Sequence, residues 1–164
     1  MITEIRLPLR ARPVMGGCSL DLGCVTCEDA CLMRIEHIAL QVQDPLAVVD
    51  WYVRNLGFRV VRAAGGPAQT HFLADDAGQV VLEIYRNPAA PIPDYFAMDP
   101  LVLHLAFAVE NVVAAQDLLV KAGATVSSPA EILPSGDELA MLRDPFGLAI
   151  QLVCRKSPLM SKSA

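Results

Sequence analysis

The chain has 164 residues, of which 54% are hydrophobic and 19% charged, with a formal net charge of −5. That balance suits one compact domain, or two small modules sharing a core, and it counts against a disordered chain. No basic block favours nucleic acid and no apolar stretch is long enough to span a membrane, so a soluble cytoplasmic protein is the expectation.

In chain order, residues 1–32 come first and hold four of the five cysteines, Cys18, Cys24, Cys27 and Cys31. Thiolates at short spacing can hold zinc or an iron–sulfur cluster, and Cys24-x-x-Cys27 is half of such a site. The set as a whole matches no established ligand spacing, and the stretch reads as a poorly ordered extension. Arg6, Arg10 and Arg12 are not followed by an apolar run of signal-peptide length. A domain is expected over residues 33–156, with a first module at 34–88, a linker at 89–100, a second module at 101–155 and a polar tail at 157–164.

In the first module, residues 34–42 read as a strand. Asp44 is placed as a helix N-cap and Pro45 at the first helical position. The helix carries Leu46, Val49, Trp51, Val53 and Leu56 and stops at Gly57. Strands follow at residues 58–63, 70–74 and 79–85, the last two joined by a turn over Asp75-Asp76-Ala77-Gly78. The linker contains Pro91, Pro93 and Pro100, with Tyr95 and Phe96 inside it. The second module repeats the order: a strand at 102–109, a helix from about Asn111 to the stop at Gly123, then strands near 125–128, 138–143 and 148–154. The fifth cysteine, Cys154, falls in the last strand and reads as a small buried apolar residue.

The two modules are copies of one pattern. His37 opens the first and His104 the second, and the closing strands carry Glu83 and Gln151. From His37 to Glu83 is 46 positions and from His104 to Gln151 is 47. Such a repeat governs the fold. Alternation along each strand puts His37, Ala39 and Gln41 on one face and Ile38, Leu40 and Val42 on the other. Likewise His104, Ala106 and Ala108 oppose Leu103, Leu105, Phe107 and Val109, and Gln151 opposes Ile150 and Leu152. Large side chains take the face a helix would cover. The polar residues share theirs mostly with small ones, which leaves room for a cavity. The expected fold is therefore α+β, two tandem βαβββ modules forming a half-open barrel with the helices outside.

Two imidazoles, a carboxylate and an amide oxygen at matching positions are a donor set for a divalent transition metal. A lone strand histidine is more often a hydrogen-bonded core residue. Glu83, inside Val-Val-Leu-Glu-Ile-Tyr, is harder to explain that way, because an unpaired carboxylate on a buried strand face is costly. Whether His37, Glu83, His104 and Gln151 meet within one chain or between two is open in the sequence. His71 falls outside the repeat, and Trp51 and Tyr52 read as packing residues.

The doubled module, the opening Arg34-Ile35-Glu36-His37-Ile38-Ala39-Leu40 and the closing Asp144-Pro145-Phe146-Gly147-Leu148-Ala149-Ile150-Gln151-Leu152 resemble the vicinal oxygen chelate superfamily, which includes glyoxalase I, methylmalonyl-CoA epimerase, extradiol dioxygenases and the fosfomycin and bleomycin resistance proteins. The resemblance covers about residues 34–155. It implies metal ligation by His37, Glu83, His104 and Gln151, with Ni, Zn, Co, Mn or Fe as the divalent ion, and a homodimer. Bacterial glyoxalase I has His, Glu, His and Glu in these places, so Gln151 is a departure. Asn87 matches a glutathione-contacting asparagine, whereas Gln41 stands where that enzyme has a glutathione-binding arginine. Tyr85, sharing the Glu83 face, and Arg143, near the last turn, complete the expected substrate-binding set with Gln41 and Asn87.

The resemblance implies a lyase or isomerase of glyoxalase I type, acting on a small oxygenated substrate through a metal-chelated enediolate. With Gln151 neutral, Glu83 is the only base among the four ligands. One fold hosts many functions, and two other readings stand beside this one. An extradiol-type dioxygenase would need iron and consume oxygen. A non-catalytic drug-binding resistance protein would bind tightly without turnover.

Overall fold

The computed structural model describes residues 35–78 and 81–159. The cysteine-bearing stretch 1–32 and the end of the tail lie outside the described residues. Ten elements run in order: β1 (Ile38–Gln41), α1 (Pro45–Asn55), β2 (Arg59–Ala63), β3 (His71–Ala74), β4 (Val81–Tyr85), β5 (Leu105–Ala108), α2 (Val112–Lys121), β6 (Thr125–Ile132), β7 (Glu138–Arg143) and β8 (Ala149–Cys154). They form two four-stranded sheets with the orders β1-β4-β3-β2 and β5-β8-β7-β6. The architecture is α+β, a tandem pair of βαβββ modules, and neither sheet closes into a barrel. No helix among the described residues is long and apolar enough to cross a membrane.

Each module is built by the same local physics. The opening strand pairs in parallel with the closing one (β1 with β4, β5 with β8), which requires a crossover, and the helix supplies it. Asp44 caps α1 by accepting from the Ala47 N–H at 3.1 Å, with Pro45 at the first helical position. Asn111 does the same for α2, accepting from Ala114 N–H at 2.8 Å. Gly123 follows α2 with φ +98°, a conformation that side-chain-bearing residues rarely adopt.

Three strands differ clearly in length from the sequence expectation. β1 covers only Ile38–Gln41 of the expected 34–42, so His37 precedes it. β5 starts at Leu105 rather than 102, because Asp99 folds the preceding residues into a turn, accepting from Leu101 N–H through its side chain and from Val102 N–H through its carbonyl. β6 runs on to Ile132, past Pro129. It is an edge strand whose register with β7 shifts twice, and both features make room for a residue without an N–H.

The large-residue faces of the two sheets share one core, with Leu40, Leu73, Leu82, Ile84, Leu142, Ile150 and Leu152 all buried. α1 serves both modules. Val48 and Val49 are buried in the core, Trp51 Nε1–H donates to the Ala122 carbonyl after α2 at 2.8 Å, and the Tyr52 hydroxyl donates to Asp144 at 2.8 Å. Phe58 and Phe107 meet edge to face across the same boundary, 6.0 Å between ring centres. Trp51 and Tyr52 are thus the packing residues expected of them. The shared core does not extend to its margin at Ile38, Leu105 and Phe107, which line an inter-module groove of about 660 Å³. Cys154 is a half-buried free thiol.

Residues 86–104 connect the modules and are fastened to both. The Tyr95 hydroxyl donates to the Gln41 carbonyl at 3.0 Å, and Arg143 donates to the carbonyls of Tyr95 and Met98 at 2.6 and 2.5 Å. Phe96 lies so close to Gly147 that a Cβ there would come within 2.8 Å of its ring.

Candidate metal and substrate site

The parallel register pairs Ala39 with Glu83 and, in the second module, Ala106 with Gln151. Two residues upstream on the same faces stand His37 and His104. The histidine–acid and histidine–amide pairs therefore occupy equivalent places in the two sheets, as the repeat requires.

His37 Nδ1 is tied to the carboxylate of Glu36, which can only accept, so this nitrogen carries a proton. Nε2 then faces Glu83 Oε2 at 3.3 Å. In a neutral ring these two atoms are both acceptors, and their approach calls for a cation between or upon them. A proton is one such cation. The Glu36 carboxylate raises the imidazole above its ordinary pKa, opposed by desolvation and assisted by Glu83. A divalent metal is the other. His104 is held the same way: its Nδ1 donates to the Pro100 carbonyl at 2.9 Å, which leaves Nε2 with its lone pair. A hydrogen bond at one ring nitrogen that fixes the other for a metal is a recurrent second-layer device. The donor set therefore fits a divalent transition metal.

A single chain does not bring these pairs together. Among the described residues, no three His, Cys, Asp or Glu side chains are close enough to hold one metal ion. The molecule carries two half-sites instead. The first borders a cavity of about 370 Å³ lined by Glu36, His37, Val61, Arg62, Phe72 and Val81. His104 lines the inter-module groove of about 660 Å³, and a separate cavity of about 430 Å³ beside the second sheet is lined in part by Pro100, Ser128, Met141 and Arg143.

Four other residues of the expected set sit where strands meet the linker. Gln41 is 7% exposed, and its amide is fully engaged. Nε2 donates to the carbonyls of Ala90 and Pro91 at 2.7 and 2.9 Å, and Oε1 accepts from Asn87 N–H at 3.1 Å. Asn87 Oδ1 accepts from Ala89 N–H at 3.0 Å. Arg143 donates to three carbonyls, those of Tyr95, Met98 and Gly147. Tyr85, opposite Gln41 in the register, is half-buried. The polar groups of Gln41, Asn87 and Arg143 are thus in use holding the linker. His71 pairs with Ile84, on the core-facing side away from Glu83, and bonds the Gln69 carbonyl.

Sequence reasoning missed Phe72 and Arg62. Phe72 pairs with Glu83, and its ring meets His37 edge to face at 5.5 Å. Counting back from the Asp75–Gly78 turn gives that register, so Phe72 was within reach. Arg62 pairs with Phe72 only because a bulge between Val60 and Arg62 shifts the strand by one residue. Simple alternation puts Val61 there.

Comparison with known proteins agrees with the repeat. Residues 34–152 match the sequence profile of the Glyoxalase/Bleomycin resistance protein/Dioxygenase superfamily. The lactoylglutathione lyase of Escherichia coli O157:H7 is 26% identical over 130 residues, covering 76% of this chain and 94% of that protein. The lactoylglutathione lyase of Salmonella typhimurium LT2 is 25% identical over 127 residues, covering 74% and 92%. Two solved structures share the fold. A glyoxalase family protein from Bacillus cereus has a TM-score of 0.65 at 16% identity, covering 74% of this chain and 93% of its own. A glyoxalase-related enzyme from Fulvimarina pelagi has a TM-score of 0.61 at 20% identity, covering 81% and 96%.

Proposed function

The chain belongs to the Glyoxalase/Bleomycin resistance protein/Dioxygenase superfamily, and on that footing we propose that it is a divalent-metal-dependent lyase or isomerase of glyoxalase I type, acting on a small oxygenated substrate. The observation that carries this reading is the treatment of the two histidines. Each is held through Nδ1, by Glu36 or by Pro100, and each keeps Nε2 for a ligand, with Glu83 already facing the first.

His37 and Glu83 of one copy, with His104 and Gln151 of another, would hold the ion. The absence of a three-donor group among the described residues of one chain supports a homodimer whose sites combine the first module of each copy with the second module of its partner. A divalent cation in that position supplies Lewis acidity to an oxyanion next to an acidic carbon.

The protein's own part is proton movement. Gln151 is neutral and the two imidazoles would commit their Nε2 lone pairs to the ion, so among the four donors Glu83 is the one left to act as the base. Its carboxylate takes the C–H proton from the hydroxyl-bearing carbon next to the substrate carbonyl and returns it to the former carbonyl carbon, while the hydroxyl proton passes to the other oxygen. The substrate is isomerised with no oxidant or reductant, and one carboxylate base serves the carbon-to-carbon transfer. Phe72 walls the first half-site beside His37, where an apolar side chain strengthens the charge interactions by excluding water.

The test is Glu83→Gln in purified protein screened with methylglyoxal–thiol adducts and acyl-CoA epimers. Turnover should be lost while bound metal, measured by elemental analysis, is retained. Undiminished turnover in the variant discards Glu83 as the base, and a wild-type protein that takes up no divalent ion discards the function.

A further inference from the structure

We propose that Arg62 is the residue that reads negative charge on the substrate, so that the substrate carries an anionic group at the end opposite its chelating oxygens, with a flat apolar part between. The location of the chelating end rests on the metal-site reading above; the placement of Arg62 does not.

Register fixes the geometry. Ala39 pairs with Glu83, Glu83 with Phe72, and Phe72 with Arg62, so all four lie in one row across the sheet. Pairs directly opposite in register share a face, and the contact of Phe72 with His37 shows that this is the cavity face. Arg62 and His37 line the same cavity of about 370 Å³. Adjacent strands are about 4.8 Å apart, so the backbones of Arg62 and Glu83 stand roughly 10 Å from each other.

Several cations have protein partners, whereas the guanidinium of Arg62, like those of Arg59 and Arg86, has none among the described residues. Arg54 pairs with Asp50, Arg155 with Asp137, and Arg143 is bonded to linker carbonyls. Among the described residues, no hydrogen bond or ion pair engages the Arg62 guanidinium. Cations on edge strands also discourage unwanted strand pairing. Of the two arginines of edge strand β2, Arg59 lies near Gly78 and outside the cavity, and Arg62 lines it. The acids of the cavity are otherwise occupied, Glu36 on His37 Nδ1 and Glu83 on His37 Nε2.

The second module has no counterpart. Its equivalent row runs from Gln151 through Met141 to the neutral Ser128. The arginine of the second face, Arg143, is bonded to three carbonyls, so a substrate between the two rows meets an unengaged guanidinium on the Arg62 side. An arginine also matches the planar, two-oxygen geometry of a carboxylate better than a lysine does.

Three aromatic hydroxamates separate the terms. Benzohydroxamate offers two vicinal oxygens and a ring; para-carboxybenzohydroxamate adds a distal anion; para-carbamoylbenzohydroxamate is its neutral match. Binding to the full-length protein is measured by calorimetry, with and without loaded zinc. The para-carboxy compound should bind about tenfold tighter than the para-carbamoyl one. Arg62→Gln should erase that preference without changing bound zinc or benzohydroxamate affinity, and Arg62→Lys should keep part of it. Equal binding of the two compounds by wild type, a preference that survives in Arg62→Gln, or failure of all three compounds to bind overturns the inference. A charge preference that is lost in Arg62→Gln but independent of zinc supports Arg62 while counting against the metal reading. Zinc-dependent binding with no charge preference does the reverse.

Discussion

Glu36 illustrates how a residue outside the expected ligand set can govern it. It is 80% exposed in its side chain and, by bonding His37 Nδ1, it fixes which nitrogen of His37 is available. Carboxylates in this role typically change metal affinity ten- to a hundredfold. Glu36→Gln is therefore expected to weaken zinc binding by about that factor in a competition titration against a chelator, with the fold unchanged. Equal affinity in the variant would remove Glu36 from the site. His37 and Glu83 were legible from the repeat alone, because duplication preserved their spacing. Arg62 was not, because one additional residue in β2 defeats any count by twos. Gln41 and Arg143 were recognised as special for their polarity, but sequence could not reveal that backbone carbonyls of the linker engage them.

At the scale of elements, the helices and their ends followed from local chemistry: Asp44 and Asn111 as caps, Gly57 and Gly123 as stops. What local chemistry does not contain is that α1 packs on two sides. Its second contact ends in a buried pair, Tyr52 and Asp144, the latter 2% exposed. Burial pushes the Asp144 carboxyl above the ordinary carboxylate range, although the Tyr52 hydroxyl and the N–H groups of Phe146, Leu148 and Gly147 oppose the shift. Burial, with the Asp144 charge beside it, likewise holds the Tyr52 hydroxyl well above its usual value, so the proton stays on the tyrosine. An acid whose folded pKa is raised binds its proton more readily in the folded state. It therefore adds stability as pH falls from neutrality towards the ordinary carboxylate value and withdraws it as pH rises through the folded pKa. An asparagine has no such slope. In urea titrations at descending pH, the stability of wild type relative to Asp144→Asn should grow. A difference that stays flat or shrinks would contradict the raised carboxyl.

For the whole molecule, the decisive matter is which modules face each other. The sequence supplied two equivalent half-sites and left their pairing open, since spacing along a chain says nothing of which copy completes a cavity. Within one chain the modules are joined through their core-facing sides, and the histidine pairs do not gather into a metal-holding group. Mixing inactive variants tests the cross-copy assembly. His37→Ala and His104→Ala each spoil both sites of a symmetric dimer. After unfolding and refolding together, half of the dimers should be mixed, and each mixed dimer has one site built from the two unaltered modules. About a quarter of the wild-type metal capacity should return. If both modules of a site came from the same chain, every site would keep a defect and none would return.

The fastening of residues 86–104 has a practical side. Connections between domains are ordinarily where a protein best tolerates added sequence. Here Tyr95, Met98, Ala90 and Pro91 are each held by a side chain from one module or the other. An epitope or fluorescent reporter spliced into this stretch would pull those grips apart, so the segment that looks most like a free tether is the one an engineer should leave alone.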